Sequence, residues 1–488
     1  MKLRMALLLV GLVVELAPLG LTNPNADAQT ETILYSFGSY ATDGSGPSAG
    51  LVQGSDGSFY GTTYRGGTGT NCVIPGCGTV FRISPSGTYT TVYSFGAFPG
   101  DGSHPLATLV QGSDGNFYGT TYGGGTSGSG TVFRISPSGT YTTLYSFAGF
   151  PSDGDGPNVL VQGSDGNFYG TTIGGGTYRE GTVFRISPTG SETILYSFGS
   201  STNDGYATYA GLVQGGDGNF YGTTKYGGTD GWGTVFQVSP SGTYKGLYSF
   251  AGPPNDGRFP YAGLVQGSDG NLYGTTYYGG QSTNCFGEGC GTVFRISTSG
   301  TETTLYSFVG YPNDGELPFA GLVQGSDGNS YGTTLLGGTS TNCSVDGNGC
   351  GTVFQISPSG TYTTLYSFGT SSNDGNEPYA GLVQGSDGNF YGMTYVDGTV
   401  FRLSVPLNPP ANQISGIQFF NVLDSTIVAV PIPSVAGETY QLQYSDSMSP
   451  TNWINTGDPA LSIGGPLVLI DVAEPLPPQR FYRAVITP

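Results

Sequence analysis

The sequence predicts an all-β protein: a seven-bladed β-propeller closed by its N-terminal strand and followed by a small Ig/fibronectin-like β-sandwich. Three observations predict it. A unit of four short apolar runs returns seven times, one of those runs is displaced from the end of the array to its beginning, and no segment beyond the leader carries helical periodicity.

The chain opens with Lys2 and Arg4, an apolar run from Met5 to Val14, and the small-residue site Ala26-Asp27-Ala28. This pattern predicts a secretory signal peptide over residues 1–28. Glu15 and Pro18 cut the run short of the ~20 apolar residues a membrane span needs.

The repeated unit is clearest from Leu109 to Phe147, LVQGSDGNFYGTTYGGGTSGSGTVFRISPSGTYTTLYSF. Its runs LVQ, NFYGTT, GTVFRIS and TYTTLYSF are rich in β-branched and aromatic residues, the composition of strands. The Asp-Gly pair between the first two runs suits a tight hairpin with positive φ. The Ser-Pro-Ser-Gly between the last two suits a turn in which Pro and Gly preset the dihedrals.

LVQG starts at Leu51, Leu109, Leu160, Leu212, Leu264, Leu322 and Leu382, with spacings of 58, 51, 52, 52, 58 and 60 residues. Such spacings suit propeller blades better than solenoid turns. The fourth run, marked by Tyr35, Tyr93, Tyr145, Tyr196, Tyr248, Tyr306 and Tyr366, precedes the first LVQG and is missing after the last TVF. Pairing the strand from Glu31 to Phe37 with the three final runs, Leu382 to Leu403, completes the seventh blade and leaves no open sheet edge. The propeller is thus expected over 29–403. A Pro-rich linker over 404–413 and about six strands over 414–488 follow, with Trp453 expected in the sandwich core.

Cys72 and Cys77, Cys285 and Cys290, and Cys343 and Cys350 fall between the second and third runs of the three longest units. In an exported chain they predict three local disulfides, each pinning a loop insertion. The formal charge is −19, and the leader carries two charges of each sign, so the mature chain is equally acidic. That balance argues against nucleic acid and anionic membranes as partners, and no membrane insertion of the mature chain is expected.

The motif GLVQGSDGNFYGTT followed by GTVFRISPSGTYTTLYSF resembles the GloVer tandem repeat of "choice-of-anchor" exported bacterial proteins, over about residues 31 to 403. More loosely, it is similar to NHL and virginiamycin-B-lyase-type propellers. The tail, with ETYQLQYSDS, Asn452-Trp453 and Arg480-Phe481-Tyr482-Arg483, looks like a C-terminal module of secreted verrucomicrobial proteins. The resemblance implies export and a surface or extracellular role, but no defined activity. The chain ends RFYRAVITP, without the hydrophobic helix and basic stop of anchored members.

Groups able to do chemistry are scarce. His104 is the only histidine and reads as a loop residue, so Ser-His-Asp catalysis and histidine metal sites are poorly supported. Aspartates form two rings. Asp56, Asp114, Asp165, Asp217, Asp269, Asp327 and Asp387 belong to the hairpins and are explained by turn chemistry. Asp43, Asp101, Asp153, Asp204, Asp256, Asp314 and Asp374 lie in the loops between units, where calcium is one reading and an Asx-turn the other.

Strand alternation gathers those loops and the cysteine-bearing loops on one face. The repeats differ most there: Tyr64-Arg65, Tyr122-Gly123, Ile173-Gly174, Lys225-Tyr226, Tyr277-Tyr278, Leu335-Leu336 and Tyr395-Val396, with Tyr178, Arg179 and Trp232 beyond. Exposed tyrosine and tryptophan beside Asn, Asp and Thr suit sugar stacking or a protein hot spot. The expected ligand-binding residues are Tyr64, Arg65, Tyr122, Lys225, Tyr226, Trp232, Tyr277, Tyr278 and Tyr395. The leading expectation is a non-catalytic cell-surface or secreted protein binding glycan or extracellular protein. A polysaccharide lyase or glycosidase, with candidates such as Asp256, Arg258 and Glu316 in the funnel, and a structural spacer are the alternatives.

Overall fold

The computed structural model describes residues 30–405, apart from 39–41, 73–75, 286, 313, 341–342, 344–347, 371–373 and 397, together with six strands within 418–487. The expected leader, most of the expected linker and Trp453 lie outside the described residues. All regular structure among the described residues is β-strand, and no helix there is long and apolar enough to cross a membrane.

Seven antiparallel blades form a β-propeller; six are four-stranded, and in the third Gly154–Pro157 adds a fifth strand. In the second blade the strands are Val110–Gln111, Phe117–Thr121, Thr131–Ile135 and Tyr141–Ser146, hydrogen-bonded in chain order. The short inner strand ends at Gly112, and the hairpin that follows turns at Gly115 with φ +80°, a conformation L side chains resist. Gly130 opens the third strand at φ +93°, and a Cβ there would collide with the Thr121 carbonyl. The same close approach to a second-strand threonine carbonyl recurs at Gly78, Gly181, Gly233, Gly291 and Gly351.

Thr131, Val132 and Phe133 are all buried, so the third strand is apolar on both faces, as a strand between two blades must be. Aromatic residues fill the seams. Tyr118, Val132 and Phe147 of the second blade pack with Leu160, Phe168, Phe184 and Ile186 of the third, and Tyr118 stacks on Phe168 at 4.1 Å between centroids. Equivalent clusters occupy every seam, including the one where Phe37, Tyr391, Met393 and Val400 meet Leu51, Phe59 and Phe81.

The strand Thr30–Ser36 pairs antiparallel with Thr399–Ser404, which continues to Phe390–Thr394 and Val383–Gln384 in one four-stranded sheet. On the hairpin side, a glutamine on each inner strand accepts a backbone hydrogen bond from its neighbour: Ser55 N–H to Gln111, Ser113 N–H to Gln162, and so on round to Ser386 N–H to Gln53 at 2.8 Å. This last bond links residues 333 apart in sequence.

The tail holds two three-stranded antiparallel sheets. One joins Gln418–Val422, Ser425–Ser434 and Gly465–Ala473; the other joins Ile454–Leu461, Thr439–Ser445 and Phe481–Thr487.

Candidate functional site

The hairpin ring of aspartates is structural, as turn chemistry predicts. Asp114 accepts from the Asn116 N–H, the Asn116 side chain and the Tyr118 hydroxyl at 3.1, 2.7 and 2.9 Å. Burial opposes its charge, yet these bonds hold the carboxyl below its usual range.

The second ring is also engaged by its own loop. Asp256 Oδ2 accepts from the Tyr248 hydroxyl at 2.8 Å and the Ala251 N–H at 2.7 Å, and Oδ1 from the Gly257 N–H at 2.7 Å. Asp153 and Asp314 repeat the pattern, and in every blade the phenol donor lies eight residues before the aspartate. These bonds give each aspartate a role in shaping its own loop. Asp256, a candidate for funnel chemistry on sequence grounds, is buried and occupied in this way.

The glycine after each of these aspartates pairs with the loop beyond the second strand: Gly102 with Gly124, Gly154 with Gly175, Gly205 with Gly227, Gly257 with Gly279 and Gly315 with Gly337. Bridges from Ser45 to Arg65 and from Asn376 to Val396 complete the set. Both kinds of loop thus share one face, as strand alternation requires.

Two residues further on, each loop turns left-handed. Gly46, His104, Gly156, Ala207, Phe259, Leu317 and Glu377 have φ between +54° and +64°, and five of them carry side chains. Such backbone costs about 1–3 kcal/mol per residue and persists only where its surroundings impose it. Here the amide and carbonyl are both held. The Phe259 N–H donates to the Trp232 carbonyl of the preceding blade at 2.8 Å, and the Phe259 carbonyl accepts from the Tyr277 N–H at 3.1 Å. His104, Leu317 and Glu377 donate likewise to the carbonyls of Cys77, Cys290 and Cys350. The three disulfides, paired as expected, therefore pin the loops that support this ring.

The residue two places beyond the left-handed position stands on the loop face shortly before the inner strand of its blade. It is Ser48, Leu106, Asn158, Tyr209, Tyr261, Phe319 and Tyr379 in successive units. The four aromatic members form a continuous arc. Tyr209 to Tyr261, Tyr261 to Phe319 and Phe319 to Tyr379 lie 5.3, 4.9 and 5.0 Å apart between centroids, and Tyr395 extends the arc at 4.9 Å from Tyr379.

Several predicted residues join this arc. Tyr277 packs against Tyr261 at 5.2 Å and against Tyr278 at 4.6 Å. Burial, followed by nearby phenols and Glu316, pushes the Tyr277 hydroxyl up, so it stays protonated. Lys225 stands over Tyr226 and Tyr261, its Nζ 4.5 and 4.6 Å from their centroids, with Tyr209 at 5.3 Å. Tyr226 also stacks on Tyr206 at 5.4 Å.

The other expected residues lie outside the arc. Trp232 is half-buried, packed against the blade core and 5.4 Å from Phe259. It holds Arg258, whose guanidinium lies 4.9 Å from the indole and pairs with Glu288. Tyr122 is exposed and stands apart from the arc, with no ring contact among the described residues. Tyr64 and Arg65 lie beside His104, next to the Tyr395 end of the arc, with Gly46 between Tyr64 and Tyr395: the imidazole is 4.8 Å from the Tyr64 ring, and the Arg65 guanidinium 5.5 Å from it. His104 Nε2 is buried without a partner, and burial together with Arg65 lowers the imidazole pKa. Tyr178 is exposed, and Arg179 covers the Phe150 ring at 3.9 Å.

Sequence reasoning passed over Tyr209, Tyr261, Phe319 and Tyr379. Their signal was available: in four consecutive units the fifth residue after the loop aspartate is aromatic. It also passed over the partners of His104, which come from a different unit. Among the described residues the one grouping with metal-ligand spacing is Cys285, Cys290 and Glu316, and both sulfurs are tied in a disulfide.

The chain is similar in fold to a lectin, BP39L from Burkholderia pseudomallei, at 12% identity and a TM-score of 0.46, over 74% of this chain and 98% of that one. It is similar to the polysaccharide lyase Uly1 at 12% identity and a TM-score of 0.44, over 79% and 94%. A glucose dehydrogenase aligns at 10% identity and a TM-score of 0.39, over 78% and 100%. No curated protein matches the sequence. The model of the Gloeobacter/Verrucomicrobia repeat matches residues 21–158 and 150–346, more than half of the chain. On that match, the chain belongs to the Gloeobacter/Verrucomicrobia repeat family.

Proposed function

We propose that this is a non-catalytic, exported recognition protein that binds saccharide on the loop face of the propeller. The observation that carries this reading is the arc of Tyr209, Tyr261, Phe319, Tyr379 and Tyr395, a continuous run of aromatic rings spanning four blades of the loop face. Ring faces of this kind stack on the C–H faces of sugars, and the phenols and loop amides beside them supply the hydrogen bonds that orient a ligand. A preformed face bound by disulfides and left-handed turns loses little entropy on binding. An extracellular protein is the other partner such a face would accept.

In this reading the N-terminal strand fastens the propeller ring, residues 29–403 form the recognition unit, and the tail over 414–488 is a β-sandwich that displays it at the cell surface or outside. Calcium at the second aspartate ring is a subordinate proposal. A glycan-array screen of the mature chain, with and without calcium, tests both. Binding that disappears in the double variant Tyr261→Ala and Tyr379→Ala supports the reading; undiminished binding in that variant overturns it.

One observation favours a second reading, a lyase. The His104 imidazole, its Nε2 buried and without a partner, lies beside a phenol and a guanidinium, the kinds of group that abstract a proton and stabilise the resulting negative charge. Release of unsaturated sugar by the wild-type chain, abolished in His104→Ala, would establish it.

A further inference from the structure

The cations of the loop face differ in what their charge meets. Arg258 is neutralised by Glu288, Arg179 lies out over Phe150, and the exposed Arg65 stands over a single ring, its neighbour Tyr64. Lys225 has no ion-pair partner among the described residues, although the chain carries a formal charge of −19. It is half-buried, and its ammonium is fixed by three tyrosine rings at 4.5–5.3 Å and by Phe259 at 6.0 Å. Ring faces hold a cation in place without cancelling its charge. Burial works against the ammonium, but the hydroxyls of Tyr226 and Tyr261 outweigh it and keep the lysine pKa above its usual value.

The position is also singular in the array. Where the fourth unit has Lys225, the others have Tyr64, Tyr122, Ile173, Tyr277, Leu335 and Tyr395. A lysine required only for packing has no reason to recruit four rings from two blades, and a neutral ligand has no use for its charge. Tyr261 belongs at once to the lysine cage and to the arc, so a sugar stacked on Tyr261 brings its substituents within reach of the ammonium.

Resting on the saccharide-binding reading above, we infer that Lys225 and its tyrosine cage form an anion subsite, and that the ligand is an acidic saccharide whose carboxylate or sulfate ester meets the Lys225 ammonium while its ring stacks on Tyr261. Rings position the cation, the cation selects the acid, and the arc extends the contact to neighbouring sugars.

The test is calorimetric titration of the full mature chain, and of Lys225→Met and Lys225→Arg, with four probes: polygalacturonate, its methyl ester, dextran sulfate and dextran. The expected result is binding to polygalacturonate or dextran sulfate about tenfold tighter than to the matching neutral polymer, with Lys225→Met abolishing the preference and Lys225→Arg keeping it. Which acidic polymer binds tells carboxylate from sulfate. Equal affinity for acidic and neutral polymers, or a preference unchanged in Lys225→Met, overturns the anion subsite and leaves saccharide recognition standing. Failure of every probe, in a chain whose circular dichroism is native, counts against the subsite, while the glycan array with neutral sugars decides the parent reading separately.

Discussion

Asp256 offers a direct test of what holds the loop face in place. Replacing it by alanine leaves three donors unmet at once, the Tyr248 hydroxyl and the N–H groups of Ala251 and Gly257, now bonded at 2.7–2.8 Å to a carboxylate that is 6% exposed. A buried donor left without an acceptor costs about 1–3 kcal/mol, and the phenol recovers part of its share from water, so Asp256→Ala should lose about 4 kcal/mol. Asp256→Asn keeps the shape and one acceptor oxygen, and should lose about half as much. The assay is guanidinium denaturation followed by far-ultraviolet circular dichroism, with and without calcium. A loss below about 0.5 kcal/mol for Asp256→Ala would refute the structural role assigned to this ring. Stabilisation of the wild type by calcium that vanishes in Asp256→Asn would show that the ring is a metal site instead.

Three further outcomes are expected. Glu192 is pushed up to about 7 by burial and then by the Asp153 carboxylate, and its Oε1 has no partner. A raised carboxyl pKa means stability that is full below about 4.5 and declines as pH rises towards 7, so Glu192→Gln should stabilise the chain at pH 8 by about 1 kcal/mol, after allowance for solvent screening, and not at pH 4.5. Equal effects at both pH values would contradict this. Gly130→Ala should lower the melting temperature by several degrees, because its Cβ meets the Thr121 carbonyl at positive φ, whereas Gly115→Ala, with open space around it, should cost only the backbone strain of about 1 kcal/mol. Comparable losses at the two sites would show that the close approach is not what requires glycine.

The architecture was legible because its determinants are local. Asp-Gly hairpins, Ser-Pro-Ser-Gly turns and alternating aromatic strands each announce themselves within a few residues, and seven copies average away the exceptions. The cysteine pairs were equally plain, since five or seven residues leave little choice of partner. The loop face was located correctly but read incompletely. Positive φ at His104, Ala207, Phe259, Leu317 and Glu377 was invisible because none of these residue types advertises it, and the conformation is imposed by carbonyls from the preceding blade. Trp232 was expected outward but turns onto Phe259 and Arg258, a contact made across two units. The partners of Lys225 are likewise split between the fourth and fifth blades, so no window along the chain contains the cage.

The arc remains the centre of the account, and a crystal structure of the mature chain soaked with its best array saccharide tests it most directly. The expected result is a sugar ring stacked face-on against Tyr261 or Tyr379, with polar contacts to the neighbouring loops. A sugar bound instead on the hairpin face, or on the tail sheets with the arc bare, would contradict it.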